Sequence, residues 1–203
     1  MPARPHRLIV VAGTGTDVGK TWVAARIAES FAGTVVARKP VQSFDRRPTD
    51  AEVLAAATGE RAGDICPPHR SYNVAMAPFM AAAHLGRPPF TLAELVAELH
   101  WPPGVDVGLV ESAGGVRSPI TADGADTVDL AGALGADGIV LVADAGLGTL
   151  NQVRLALDAL AEFDVAVLLN RFDGEDPLHR GNLAWLVANV TAPIATKVQD
   201  LTL

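Results

Sequence analysis

The chain has 203 residues, of which 49% are hydrophobic and 19% charged, and this balance excludes disordered and fibrous proteins. Its net charge of −7 argues against nucleic acid as the main partner, because a phosphate backbone requires a basic surface. No apolar run approaches the ~18 residues of a membrane span, and residues 1–7 lack a signal-peptide core. We therefore expect one soluble, cytoplasmic domain over residues 1–203, with neither a membrane nor a nucleic-acid partner.

In chain order, short apolar runs typical of buried strands alternate with segments of helical character. Residues 42–48 are polar and predict a loop, and residues 59–74 have no regular pattern. The predicted strands are 8–12, 34–38, 105–110, 138–143, 165–169 and, at the edge, 193–197. The predicted helices are 20–31, 49–58, 75–85, 91–100, 127–134, 150–162 and 177–189.

This alternation predicts a three-layer α/β fold. Right-handed crossovers between successive strands give a mostly parallel sheet with helices on both faces. The chain has no internal repeat and no linker long enough to divide it into two domains. In such sheets ligands bind at the carboxyl ends of the strands, so polar residues that follow strands are the candidates for function.

The segment between the first strand and the first helix, residues 13–21, reads Gly-Thr-Gly-Thr-Asp-Val-Gly-Lys-Thr. Glycines let backbone amides curl around phosphate oxygens, and the helix N-terminus adds its positive end. Lys20 would reach the β- and γ-phosphates, and the Thr21 hydroxyl would bind Mg²⁺. Thr14 stands where the strict G-x-x-x-x-G-K-[ST] motif has its first glycine, so this is a variant loop. It predicts a P-loop NTPase-like fold that binds ATP or GTP.

Charged residues follow two further strands. Lys39 ends the second strand, ahead of the hydroxyl of Ser43, and is either a functional cation or a solvated surface lysine. Glu111 ends the strand 105–110 and is either a magnesium ligand or a strand-end acid that faces solvent. Asp50 is either a further ligand or an ordinary helix cap.

Two candidate sites lie in the second half of the chain. Asn170 follows the strand 165–169 and would bond an adenine edge, unless it only forms a turn. The amides of residues 148–151 would hold a carboxylate, unless they only begin a capped helix. By contrast, we do not expect Cys66 to act as a nucleophile, and as the single cysteine it favours a reducing compartment. The five histidines lack the spacing of a zinc site.

Together these segments resemble the dethiobiotin synthetase family. The resemblance covers nearly the whole chain, in order and at suitable spacings, and the family carries the same displaced glycine in its phosphate loop. No single segment is specific, but the combination is. The matching segments are 13–21, 39–41 with Ser43, 110–111 with 113–115, 148–151 and Asn170.

The resemblance implies an ATP-dependent ligase of biotin biosynthesis. The family joins CO₂ to 7,8-diaminononanoate as a carbamate, phosphorylates the carbamate with ATP, and closes a ureido ring, which gives ADP and phosphate. It further implies ATP and Mg²⁺ as cofactors, and a homodimer with the active site at the subunit interface. The role of the protein would be positioning and charge stabilisation.

The resemblance also implies a role for each matching residue. Lys20 and Lys39 would be catalytic, offsetting charge on the phosphoryl group and the carbamate. The implied magnesium ligands are Thr21, Asp50 and Glu111. The implied nucleotide contacts are Thr16, Asp17, Val18, Gly19, Lys20, Thr21, Trp22, Glu111, Ser112, Ala113, Gly114 and Asn170. The implied substrate contacts are Ser43 and, in the same or the partner subunit, Gly148, Thr149, Leu150 and Asn151.

Three features depart from the family pattern. Phe44 stands where the family usually has a glycine, which narrows the expected diamine pocket. Ser112 interrupts the usual Glu-Gly-Ala-Gly-Gly and would place a side chain close to the nucleotide. Only a few residues follow the predicted strand 193–197, so the segment expected beside adenine is short.

Other readings of the same motifs are a partitioning-type switch ATPase, an amidating ligase of cobalamin synthesis, and a paralogous ligase for another diamine or amino acid. The switch ATPases carry a lysine early in the phosphate loop, where this chain has Thr14 and Gly15. The amidating ligases need a glutaminase domain, for which 203 residues leave no room. Phe44 and Ser112 keep the paralogous ligase open.

Overall fold

The computed structural model, which describes residues 4–202, consists of eight strands and eight α-helices in that part of the chain. Two short 3₁₀ turns lie at Pro68–Arg70 and Val198–Asp200. The strands are β1 Arg7–Gly13, β2 Val35–Arg38, β3 Gln42–Ser43, β4 Ser71–Tyr72, β5 Val107–Glu111, β6 Gly138–Asp144, β7 Val165–Asn170 and β8 Ile194–Ala195. The helices are α1 Lys20–Ser30, α2 Asp50–Thr58, α3 Ala62–Ile65, α4 Pro78–His84, α5 Leu92–Ala97, α6 Thr127–Leu134, α7 Thr149–Ala159 and α8 Pro177–Asn189.

Six strands form one parallel sheet in the order β2-β5-β1-β6-β7-β8. The strand β1 lies near the middle, with Val11 opposite Glu111 of β5 and Gly13 opposite Val142 of β6. Because all strands run in the same direction, their carboxyl ends meet at one edge of the sheet. The phosphate loop, Lys39 and Glu111 therefore converge there.

Side chains of β1 point alternately into two hydrophobic cores, one on each face of the sheet. Ile9 packs with α1 and α2 residues such as Val23 and Leu54. Val10, by contrast, packs with residues of α4, α6, α7 and α8 such as Leu130. The two cores give the three layers that the sequence predicts, and the predicted fold class is confirmed.

The predicted boundaries agree best where a helix has a strong start signal. The helices predicted at 127–134 and 177–189 coincide with α6 and α8, which begin with a capping Asp126 and with Pro177. The helix predicted at 75–85 begins three residues later, at Pro78, because proline fits the first helical turn, where its missing N–H is not needed.

The prediction for residues 42–48 and 59–74 is wrong in part. The strands β3 and β4 lie in these segments and pair in parallel as a separate two-stranded sheet, with Ser43 opposite Tyr72. Tyr72 is buried and stacks on Phe90, with 6.2 Å between the ring centroids. Two-residue strands are too short to produce a period in the sequence, so only their pairing in the folded chain defines them.

Within residues 4–202, no helix is both long and apolar enough to cross a membrane.

Candidate nucleotide and metal site

The phosphate loop occupies residues 14–19, between the end of β1 and the start of α1. A Cβ on Gly13 would lie 2.9 Å from Cδ of Lys20, so the displaced glycine leaves room for the lysine side chain that folds back over it. Gly19 has φ 95° and precedes α1 without any side-chain cap, which leaves the first helical amides free of protein side chains. The loop therefore has the geometry of an anion site.

Lys20 is buried inside this loop. Its Nζ donates hydrogen bonds to the carbonyl oxygens of Gly15, at 2.9 Å, and Gly114, at 2.8 Å. Burial, with a smaller contribution from repulsion by Lys39, lowers the pKa of Lys20 to about 8. The predicted phosphate-binding lysine thus spans from the phosphate loop to the loop that follows β5.

Lys39 is only 2% exposed, so the interpretation as a solvated surface lysine is wrong. Its Nζ lies 2.8 Å from Oδ2 of Asp50 and 2.6 Å from Oε1 of Glu111, and it also donates to the carbonyl of Ser112 at 3.1 Å. Burial alone would lower the pKa of Lys39, but attraction to the two carboxylates outweighs burial and raises it. Lys39 is therefore a permanent buried cation.

Asp50 does not cap α2, so that alternative is wrong. The cap is Thr49, whose hydroxyl accepts from the amide of Glu52, while the Glu52 carboxylate accepts from the amide of Thr49. The Asp50 carboxylate turns inward instead, towards Lys39 and the hydroxyl of Thr21. Attraction to Lys39 lowers the pKa of Asp50 and outweighs the opposite effect of its partial burial.

Glu111 is only 1% exposed, so it is not a strand-end acid that faces solvent. Its Oε1 accepts from Lys39, whereas its Oε2 is buried and has no hydrogen-bond partner among residues 4–202. Burial raises the pKa of Glu111 although Lys39 opposes this. An unsatisfied buried carboxylate oxygen is costly and calls for a further donor or a cation.

The chemistry of these donors fits Mg²⁺. The Thr21 hydroxyl lies 3.0 Å from Oδ1 of Asp50 and 3.0 Å from Oε1 of Glu111, so three hard oxygen donors converge. In the part of the chain that the structure describes, no group of three or more His, Cys, Asp or Glu side chains is placed to hold a metal. Mg²⁺ suits such a partial site, because in phosphate-binding enzymes waters and substrate phosphates complete its coordination.

An open cavity of about 580 Å³ adjoins the phosphate loop. It contains Trp22, which is 52% exposed, and Asn170, whose Nδ2 donates to the carbonyl of Val18 at 2.9 Å. Residues 196–199, in the C-terminal segment expected beside adenine, also line the cavity, and so does Phe172, which the sequence interpretation missed. The only signal for Phe172 was its position after β7, at the edge of the sheet where ligands bind.

Ser43 and Ser112 both have defined contacts with the backbone or with Lys39 in the structure. The Ser43 hydroxyl donates to the carbonyl of Met76 at 2.6 Å. Ser112 contributes its carbonyl to Lys39, while its own hydroxyl is buried and finds no partner within residues 4–202. Of the neighbouring residues, Gly114 has φ 73° and directs its carbonyl at Lys20.

The segment Gly148 to Asn151 lies after β6, at the start of α7. The N-cap of this helix is Gly148, with φ 92°. Because glycine has no side chain, the first amides of α7 have no side-chain acceptor at the cap. Leu147, just before it, is 89% exposed, and Asn151 is exposed as well. The structure thus places this segment at the carboxyl edge of the sheet but outside the cluster of Lys39, Asp50 and Glu111.

Cys66 takes no part in the site. It is buried in the core beside α3, and burial raises the pKa of its thiol to about 12. A thiol with that pKa is not ionised at neutral pH and is a poor nucleophile.

A parallel sheet, a phosphate loop over β1 and α1, and converging lysines and carboxylates define a P-loop nucleotide-binding α/β protein. The family model described as an AAA domain matches residues 7–195. The sequence is 37% identical over 194 residues to the ATP-dependent dethiobiotin synthetase BioD of Haloferax mediterranei, covering 92% of this chain and 81% of that protein. It is 43% identical over 164 residues to BioD of Caulobacter vibrioides, covering 75% and 73%. The chain belongs to the ATP-dependent dethiobiotin synthetase family.

Solved structures support the fold. Chloroplast FtsY of Physcomitrella patens has a TM-score of 0.55 and 19% identity, and the alignment covers 100% of this chain but only 63% of that one. A plasmid partition protein of Borrelia burgdorferi bound to AMPPNP has a TM-score of 0.56 and 12% identity, with 98% and 92% covered. At these identities the likeness concerns the fold alone.

Proposed function

We propose that this chain is an ATP-dependent dethiobiotin synthetase, a ligase that forms carbon–nitrogen bonds in biotin biosynthesis. The observation that carries the proposal is the buried cation Lys39 held between Asp50 and Glu111, beside the phosphate loop. A protein that only binds nucleotide has no need of a second desolvated lysine at this place. Membership of the synthetase family supports the same conclusion.

The proposed reaction has three steps. One amine of 7,8-diaminononanoate attacks CO₂ and loses a proton, which gives a carbamate. A carbamate oxygen then attacks the γ-phosphorus of ATP, and ADP leaves. Finally the second amine attacks the carbamate carbon, loses a proton and expels phosphate, which closes the five-membered ureido ring.

Lys20 and Lys39 are the proposed catalytic residues. Both are buried, where a fixed cation stabilises developing negative charge more strongly than it does in water. Lys20, inside the phosphate loop, serves the phosphoryl group. Lys39, at the end of β2, serves the carbamate and the oxygen that attacks phosphorus.

Thr21, Asp50 and Glu111 are the proposed ligands of Mg²⁺, which would neutralise charge on the phosphates. Support comes from the convergence of their oxygens and from the unsatisfied Oε2 of Glu111. A bound cation would also favour the ionised form of Glu111, against the effect of burial.

ATP is proposed to lie across the phosphate loop with its base in the adjoining cavity. The amides between Thr16 and Thr21 would hold the phosphates. Trp22 and Asn170 line the cavity and would contact adenine, since a tryptophan ring is a stacking surface and an asparagine amide matches a base edge. The loop of Ser112, Ala113 and Gly114 closes the phosphate side, as its contacts with the two lysines indicate.

The diamine is proposed to lie beside Ser43, with its carboxylate on the amides of Gly148 to Asn151. Those amides begin a helix without a side-chain cap, and this supports an anion site there. We propose that the two parts belong to different subunits of a homodimer, because Gly148 and Asn151 lie at the surface, where a second chain could meet them, although Thr149 between them is buried. The proposed location of the enzyme is the cytoplasm.

A phosphate-release assay with ATP, Mg²⁺, bicarbonate and 7,8-diaminononanoate tests the proposal, with the product identified by mass spectrometry. Release that requires both bicarbonate and the diamine, together with a dethiobiotin mass, is the expected result. Release that ignores the diamine would identify a switch ATPase instead. Turnover with another diamine or amino acid only would identify a paralogous ligase.

A further inference from the structure

Within residues 4–202, two residues other than glycine have a left-handed backbone conformation, and the side chain of one of them forms a hydrogen bond to the other. Asp17, in the phosphate loop, has φ 60°, and Arg171, directly after β7, has φ 57°. This region is unfavourable for residues with a Cβ, so surrounding contacts must hold both residues there.

The guanidinium of Arg171 supplies such contacts. Its Nη2 donates to the carbonyl oxygen of Asp17 at 2.7 Å, and its Nη1 donates to Oδ2 of Asp144 at 2.8 Å. The other carboxylate oxygen of Asp144 accepts from the amide of Gly146 at 2.9 Å. The planar guanidinium of Arg171 thus connects the phosphate loop with Asp144, the last residue of β6, which in turn binds the segment between β6 and α7.

The segment between β6 and α7 is fixed from its other side as well. Asn182 of α8 donates from Nδ2 to the carbonyls of Ala145, at 2.9 Å, and Gly146, at 3.0 Å. Burial would raise the pKa of Asp144, but the amide of Gly146 and the guanidinium of Arg171 lower it. The carboxylate is therefore charged at neutral pH and provides a fixed anchor for Arg171.

We propose that Arg171 is a positioning residue that holds the phosphate loop and the β6–α7 segment in one arrangement. The inference rests on the proposed function only in taking residues 14–19 as the nucleotide's phosphate site. Arginine suits this role because its fork fixes the directions of two hydrogen bonds at once, which a lysine ammonium does not.

The contribution of Arg171 lies in loop geometry more than in global stability. Its side chain is 57% exposed and that of Asp144 is 42% exposed, and such surface ion pairs add little to the free energy of unfolding. By contrast, a small displacement of groups that bind the reacting phosphates weakens binding and catalysis strongly. Arg171→Ala should therefore lower ligand affinity while leaving the melting temperature nearly unchanged.

The first test measures the Kd of two ligands with Mg²⁺, a non-hydrolysable ATP analogue and inorganic triphosphate. Arg171 also lines the base cavity, so a lost base contact would weaken only the ATP analogue. A displaced phosphate loop would weaken both ligands by the same factor, and we expect about fivefold. Asp144→Ala should act in the same direction, and the double variant should bind no more weakly than Arg171→Ala alone.

The matched control is Arg180→Ala. Arg180 is also an arginine that donates to two backbone carbonyls, those of Gly174 and Glu175, and neither acceptor belongs to the two connected segments. It should leave both Kd values unchanged.

A second test needs no ligand. Hydrogen exchange of the free protein should speed up in peptides covering residues 14–19 and 144–149 of Arg171→Ala, and not in Arg180→Ala. If exchange speeds up in these peptides of Arg171→Ala but the wild-type chain binds neither ligand, the proposed function is wrong and the role of Arg171 stands. Unchanged exchange with unchanged Kd values, or a loss confined to the ATP analogue, overturns the role of Arg171.

Discussion

The half of the candidate site proposed for phosphate and metal differs from the half proposed for the diamine in how each is built. In the first half, Lys39 and Glu111 are 2% and 1% exposed, and each of these charges touches an opposite one. In the second half, Ser43 lies on a two-residue strand and Leu147 is 89% exposed. Buried ionic contacts fix the first half within one chain, whereas the second combines a two-residue strand with the partly exposed start of the helix α7.

This difference matches the chemistry that each half is proposed to perform. Phosphoryl transfer depends on cations already placed where charge develops, and such placement works best without water. Selection of a flexible diamine depends on surfaces that close around it, for which a partner subunit is one source. We therefore expect substitutions in the first half to reduce turnover and substitutions in the second half to change substrate affinity.

The largest effect is expected for Lys39→Gln, which keeps most of the side-chain length and removes the cation. Product formation should fall about 10²–10³-fold, the usual loss when one positioned charge is removed from a reacting site. The Kd of a non-hydrolysable ATP analogue, measured by calorimetry, should change little. An equal loss of product formation and of affinity for the ATP analogue would show that Lys39 is an ordinary nucleotide contact. If neither changes, Lys39 takes no part in the site.

A pH effect on stability is expected from Lys20, whose pKa falls to about 8 in the folded protein from 10.5 in a free side chain. Between these values the unfolded chain binds more protons than the folded one, so the free energy of unfolding rises with pH. The cost of the buried charge is fully present below pH 8 and is relieved towards pH 10.5. Its full size is on the order of 3 kcal/mol.

Denaturant unfolding of the wild type and of Lys20→Met at several pH values between 7 and 10 measures this effect. The difference in unfolding free energy between the two should shift in favour of the wild type as pH rises. A difference that stays constant over this range would mean that Lys20 is not desolvated.

The two halves also differ in how far the sequence predicts them. The phosphate loop and Glu111 come at the ends of buried strands with a clear apolar pattern. The sequence therefore predicts where they lie in the chain and that they meet at the carboxyl edge of the sheet. The ion pairs of Lys39 could not be predicted, because the local sequence favours Asp50 as a helix cap. The structure shows that the capping box of Thr49 and Glu52 leaves the Asp50 carboxylate free.

Contacts between residues far apart in the chain leave even less trace in the local sequence than the ion pairs of Lys39 do. Nothing local marks Ser71 as the strand partner of Gln42, or Arg171 as a contact of Asp17. The cavity residues 196–199 belong to a segment whose only regular element is a single 3₁₀ turn. The sequence pattern thus predicts the sheet and the residues that end its strands, while side-chain contacts between loops follow only from the folded structure.

A smaller effect is expected for Glu111→Gln, which keeps the shape of a proposed metal ligand and removes its charge. The Mg²⁺ concentration for half-maximal activity should rise about ten- to hundredfold, as large as the loss from removing a group that supports a metal ligand. Asp50 remains as the partner of Lys39, so the fold should persist. A collapse of thermal stability with an unchanged Mg²⁺ requirement would show that Glu111 is structural.

The smallest effect is expected for Ser43→Ala, in the exposed half. If the hydroxyl contacts the diamine, its loss removes about one hydrogen bond, and the KM for 7,8-diaminononanoate should rise about two- to tenfold. The KM for ATP should stay the same, because Ser43 touches neither the phosphate loop nor the lysines and its hydroxyl donates to Met76. Ser71→Ala is the matched control, since Ser71 lies on the paired strand and its hydroxyl accepts from Gln42 instead. Steady-state kinetics with each substrate varied in turn would show the split. A rise in both KM values, or an equal rise in the Ser71 variant, would mean that the small sheet supports the site as a whole and that Ser43 makes no separate contact with the diamine.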